Sequence, residues 1–210
     1  MKSLAELLDL LRAEDPRPVL PDLAGDLDHL LDLPLNRARL DALVEIETEL
    51  LFEWDEERRL AALLPDDPVS VLRTLTRLGA ALGLRDRLMA ALGDAGVRIV
   101  SWMSPREARR AIYRLGASTF RDRAMLAWAG AGRTGAAPQW RALLAFPEGW
   151  TAPDFPISEA EFRAAGVPLG PLVEQVRREV EEWWIDLDFT DDKMAAIERL
   201  KAVVQGLVYA

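Results

Sequence analysis

The chain contains no cysteine and only one histidine in 210 residues. Disulfides and thiolate metal sites are therefore excluded, and a lone imidazole cannot assemble the usual zinc ligand sets. Long apolar runs are missing as well. No stretch approaches the ~18 uncharged apolar residues of a membrane span, and Glu6 and Asp9 interrupt the N-terminal segment where a signal peptide needs an unbroken apolar core. A cytoplasmic protein is expected, with no membrane partner. Aromatic residues make up 7% of the chain and β-branched residues are few, which disfavours sheet. No P-loop, dinucleotide fingerprint or nucleophile elbow occurs.

What is present is helix-forming. Leucine, alanine, arginine and glutamate dominate, half the residues are apolar and 29% are charged, the balance of a chain that folds around a core. The net charge of −9 argues at first against nucleic acid. Its distribution argues otherwise. Residues 1–68 hold 7 Lys/Arg against 18 Asp/Glu, residues 69–145 hold 13 against 4, and residues 146–210 hold 6 against 13. A basic middle third lies between two acidic flanks. Helix faces that differ in sign are the plainer explanation, and charge alone does not separate the two.

Apolar spacing is helical throughout. Leu4, Leu7, Leu8 and Leu11 form a stripe that ends by Asp15-Pro16. Asn36 is placed to cap a helix carrying Leu40, Leu43, Val44, Leu50 and Leu51, and Asp67-Pro68 starts another with proline at the first helical position. Ser104-Pro105-Arg106-Glu107 and Ser158-Glu159-Ala160-Glu161 are capping boxes. Thr190 is expected to cap the last helix, which runs through Met194, Ile197, Leu200 and Val204. Val97–Val100 alone reads like a strand and, with nothing to pair with, is expected as an extended connector or part of a helix. Residues 131–138 form a turn. The three prolines and the glycine of Phe146–Pro156 resist helix and mark a boundary. The expected fold is all-α: a multi-helix bundle over 1–145 and a smaller helical tail over 146–210.

Few residue groups suggest chemistry. His29 beside Asp28 and Asp32 reads as a surface group. Asp26/Asp28 and Asp186/Asp188 are close acidic pairs of the kind that hold magnesium, but they lie in turn and helix-end contexts without phosphate-cradling glycines. The carboxylates Glu45, Glu47, Glu49, Glu53, Asp55, Glu56 and Glu57 read as a solvated face. In the helix from Pro105, Arg106, Arg110 and Arg114 share one face, flanked by Arg109 and Tyr113, with Ala108, Ala111, Ile112 and Leu115 opposite. Arg121 and Arg123 follow on the next helix, then Arg133 and Arg141. Arginine grips phosphate bidentately, so these residues are candidates for binding an RNA backbone. Gly166 and Gly170, in Ala165–Pro171 between two helices, leave amides open to phosphate or simply turn a corner.

Several of these segments resemble a known family. Phe155-Pro156-Ile157-Ser158, then Gly166-Val167-Pro168-Leu169-Gly170-Pro171-Leu172-Val173, then Glu182-Trp183-Trp184-Ile185, resemble the tail of bacterial CCA-adding tRNA nucleotidyltransferases, also described as poly(A) polymerase-like. Ala108–Gly116 and Arg121–Ala129 resemble the helical body, and Ala5–Leu11 with Asp15–Leu20 resembles the stretch after the neck. The order and spacing agree over nearly the whole chain, although Glu174 stands where a glycine is common and Glu161-Phe162 where Asp-Leu is expected. The resemblance implies tRNA 3′-end processing. It also implies a catalytic head carrying a glycine-rich turn, an Asp-x-Asp metal pair and a nucleotide-selecting motif, none of which is present here. The magnesium, CTP and ATP of the reaction would belong to that head, which is expected to precede residue 1 or to sit on a separate polypeptide.

The expectation is a tRNA-binding module, inactive alone and without a cofactor of its own. It would hold the acceptor arm through Arg106, Arg109, Arg110, Arg114, Arg121, Arg123, Gly166 and Gly170. The alternatives are a head-less relative that serves as a protein–protein scaffold and, more remotely, an enzyme with an unrecognised centre.

Overall fold

Asn36, Asp55, Asp67 and Ser104 each turn a side-chain oxygen onto the amide three residues ahead, at 3.1, 2.9, 3.3 and 3.3 Å, and each starts a helix. At Ser104 the box is complete, because Glu107 reaches back to the Ser104 amide at 2.7 Å. The computed structural model of the chain describes residues 3–93, 96–132, 137–167, 170–190 and 192–208. Among them are twelve helices and no strand. These are α1 (Leu4–Leu11), α2 (Ala24–Leu31), α3 (Arg37–Leu50), α4 (Glu56–Leu63), α5 (Pro68–Arg77), α6 (Leu82–Leu92), α7 (Pro105–Leu115), α8 (Ala117–Gly130), α9 (Ala137–Gly149), α10 (Glu159–Ala164), α11 (Pro171–Asp186) and α12 (Lys193–Val208). The fold is all-α. No helix among the described residues is long and apolar enough to cross a membrane.

The chain divides into Met1–Trp150 and Thr151–Ala210. The break falls inside the proline-rich stretch but later than residue 145, because α9 continues through Pro147 to Gly149. A proline this near a helix end removes one hydrogen bond without ending the helix at once.

In the first unit α8 is buried nearly all round, through Phe120, Ala124, Met125, Trp128 and others, the pattern of a central helix. It packs on α3, α4, α6, α7 and α9. Trp128 stacks on Trp140 of α9 with ring centroids 6.4 Å apart.

The acidic run from Glu45 to Glu57 is only in part the solvated face the sequence suggests: Glu49 and Glu53 are exposed, but Glu47 is not. Glu47 and Arg59 are both fully buried, with Arg59 Nε 2.7 Å from Glu47 Oε2. Arg58 bridges Glu47 at 3.4 Å and Asp122 at 2.8 Å. Arg87 reaches Asp122, Asp55 and Glu57 at 3.0, 2.6 and 3.1 Å. Burial pushes the Glu47 carboxyl above its ordinary value, against the pull of Arg59 and Arg58. Burial works the same way on Asp55, but the hydrogen bonds from Arg87 and the Arg58 amide and the charges of both arginines together outweigh it and hold that carboxyl low.

Leu51 departs from expectation too. It ends α3 in the left-handed conformation at φ 54° and lies 90% exposed.

The second unit packs α11 on α12 around Phe162, Val176, Val180, Ala196 and Leu200. Arg177 covers the Phe162 ring at 5.0 Å. Two expectations for α12 change. Asp192, not Thr190, supplies the cap, accepting from the Ala195 amide at 3.0 Å, while the Thr190 hydroxyl closes the preceding turn on the Leu187 carbonyl at 2.6 Å. Of the expected stripe Leu200 is buried, Val204 packs on the core and Ile197 is half-buried, while Met194 is exposed and Ala196 and Val203 are buried in addition.

Two outcomes are expected. Glu47→Gln strands a buried guanidinium and lowers the stability of the first unit by about 3–5 kcal/mol, measured by urea unfolding, whereas Glu49→Gln on an exposed position changes it by under about 0.5 kcal/mol. In the second unit, hydrogen bonds from Lys193 and then Ser158 hold the Glu161 carboxyl down to about 2. A depressed carboxylate stabilises the fold above its ordinary value of 4.5 and loses that contribution as pH falls toward 2. An NMR titration of Glu161 should therefore show a midpoint near 2, and Glu161→Gln should remove this part of the acid limb.

Candidate functional site

Helix α7 divides its residues sharply. At about 100° per residue, Arg106, Arg109, Arg110, Tyr113 and Arg114 span an arc of roughly 140°, and Ala108, Ala111, Ile112 and Leu115 fill the opposite side. The structure realises that division. Ala108, Ala111 and Ile112 are buried and Leu115 packs on the core. Arg106 and Arg114 are exposed, and Arg109 and Arg110 are half-buried. Gly116, at φ 78°, ends the helix and turns the chain into α8.

The other arginines have different surroundings. Arg121 is half-buried and lies 3.7 Å from Glu148. Arg123 is only 9% exposed. Its Nε donates to the Ala90 carbonyl at 2.7 Å and its Nη1 to the Val97 carbonyl at 3.4 Å, so the side chain fastens the end of α6 and the connector behind it. Arg141 pairs with Glu49 on the surface. Arg133 lies outside the described residues. Gly166 and Gly170 belong to the second unit, at φ 80° and 120°. The Pro168 and Leu169 between them are also outside the described residues.

A cavity of about 700 Å³ opens in the first unit. Its wall includes Arg39, Arg98 and Arg123 with one carboxylate, Asp66, and apolar surface from Ile99, Leu126 and Trp140. Trp102 stands at its edge, 77% exposed. Sequence reading did not single out this place. The visible signal was a bulky aromatic between Gly96 and Pro105 that belongs to no helical stripe. The segment Val97–Val100 is the extended connector, without strand partners.

His29 is exposed in the last turn of α2. Asp26 and Asp28 sit on the exposed side of that helix, Asp186 ends α11, and Asp188 follows at φ 58°. Among the described residues no group of three or more His, Asp or Glu could hold a metal ion. A guanidinium row like that of α7 can pair with anionic groups.

Arg123→Ala should strip the charged donor from two carbonyls. The expected cost is about 2 kcal/mol in unfolding experiments, together with faster amide exchange in residues 96–103.

No protein-family model, no curated protein and no solved structure matches this chain.

Proposed function

We propose that this chain is an RNA-binding helical module that holds the acceptor arm of tRNA by its phosphates, as the resemblance to CCA-adding enzymes implies. It carries no nucleotidyl-transfer centre of its own. A separate head would supply the magnesium, the CTP and ATP and the chemistry, leaving this chain to position the tRNA in the cytoplasm. The observation that carries the reading is the polarity of α7: four arginines on one face, with the opposite face anchored in the core. The helix, anchored by its opposite face, sets these arginines in a row along which a phosphate backbone can pair. Such contacts recognise RNA by shape and backbone, without reading bases. Arg121, Gly166 and Gly170 are secondary contributors in this reading. Arg123 acts through its hold on the α6–α7 connector.

The rival reading, a protein–protein scaffold, draws on Leu51 and Trp54, 90% and 43% exposed beside Glu14 and Glu53. One experiment separates the two. Wild-type chain titrated with tRNA across a salt series should lose affinity steeply. The triple variant Arg106→Ala/Arg110→Ala/Arg114→Ala should bind at least about tenfold more weakly at low salt, with the log–log slope reduced by about 2–3. Wild-type affinity that is indifferent to salt, or a triple variant that binds like wild type, contradicts the proposal.

A further inference from the structure

The connector between α6 and α7 presents its side chains in an ordered way. Gly96, at φ 68°, turns the chain out of the region after α6. Val97 then packs on the core, Arg98 points to solvent and Ile99 is buried, 7% exposed. A turn follows, closed by the Met103 amide donating to the Val100 carbonyl at 3.2 Å. Ser101 and Trp102 occupy its tip. Met103 packs back on the core, and the capping box of Ser104 follows immediately. Trp102 is thus held out by a backbone anchored on both sides, with 77% of its surface in water.

An isolated exposed apolar residue means little. Trp102 is not isolated. It borders the cavity of about 700 Å³ whose wall holds three guanidiniums against one carboxylate. Arg39 donates to main-chain carbonyls and pairs with Asp66, the one carboxylate of the wall, while Arg123 donates to main-chain carbonyls, so Arg123 and Arg98 leave the hollow positive. Arg98, at the rim, has no hydrogen-bond or ion-pair partner among the described residues. A flat apolar ring, an unengaged guanidinium four residues away and a positive, partly apolar hollow together match one ligand chemistry. That chemistry is a nucleotide, with a base to stack and a phosphate to pair.

We propose that the Trp102 turn is a stacking platform for an unpaired nucleotide of the bound RNA, with the base on the indole and its phosphate on Arg98. The inference rests on the RNA-binding reading above and adds a second kind of contact to it. The hollow offers few side-chain groups able to read a base edge, Ser101 being one, so the platform is expected to accept any base.

The test uses the full chain, with a fluorescein-labelled single-stranded RNA hexamer, a blunt RNA duplex, tRNA and AMP as probes. Trp102→Ala should weaken hexamer binding by roughly tenfold, Trp102→Phe should retain most of it, and Arg98→Ala should weaken it severalfold and lower its salt slope by about 1. Duplex binding should not change. Because Trp102 and Arg98 are exposed, these variants should unfold like wild type, checked by circular dichroism. If wild type binds tRNA and duplex but Trp102→Ala leaves hexamer binding intact, the platform is refuted while the RNA reading stands. If wild type binds no RNA yet binds AMP in a Trp102-dependent way, the nucleotide chemistry is supported with a free nucleotide as its source, and the RNA reading fails. If no probe binds, both are overturned.

Discussion

Short helices that stop inside a protein leave their last carbonyls without intrahelical partners, and burying those oxygens bare is costly. In the first unit this constraint is met repeatedly by an arginine from another helix. Arg59 of α4 donates to Leu11, Ala13 and Glu14 at the end of α1. Arg39 of α3 does the same for Ala61, Ala62 and Leu64 at the end of α4. Arg77 of α5 serves Leu30 and Leu31 at the end of α2, and Arg123 of α8 serves Ala90 at the end of α6. Each cation also meets the negative end of a helix dipole. The guanidinium suits the task because its rigid fork reaches several oxygens at once.

Arg59 shows what this arrangement requires. Desolvating both Arg59 and Glu47 is unfavourable, and their attraction alone is weak grounds for net stability. The extra carbonyl acceptors offset that cost by satisfying donors and acceptors together. Through Arg58, Asp122 and Arg87 the same network joins α3, α4, α6 and α8. These links constrain the orientation of α8 and, through Arg123, fasten the connector on which Arg98 and Trp102 sit.

The helix starts were legible because caps are local. Asn36, Asp67 and Ser104 interact with amides only three residues away, so a short window of sequence contains the whole interaction. What escaped was long-range. Glu47 looks like any surface glutamate until Arg59, Leu11 and Asp122 are brought around it. Leu51 fits a helical stripe on spacing, but the left-handed end of α3 turns it outward. Thr190 was the expected cap of α12, and the cap proves to be Asp192, two residues later. The candidate site divides along the same line. The α7 face followed from period alone. Arg123, also read as a phosphate ligand, is buried against carbonyls that the sequence could not place near it. The Trp102 hollow is assembled from α3, α6, α8, α9 and the connector, and no single window contains it.

The basic middle third therefore divides: some of its arginines close the fold, and Arg106, Arg109, Arg110 and Arg114 line the side of α7 away from the core, the side the proposal assigns to RNA. Hydrogen exchange with and without tRNA addresses that division directly. The account predicts slowed exchange in residues 105–115 and 97–103 on tRNA addition, with α1 and α4 unchanged. Exchange in α7 that is indifferent to tRNA, with protection appearing instead along acidic α3 or nowhere, would contradict it.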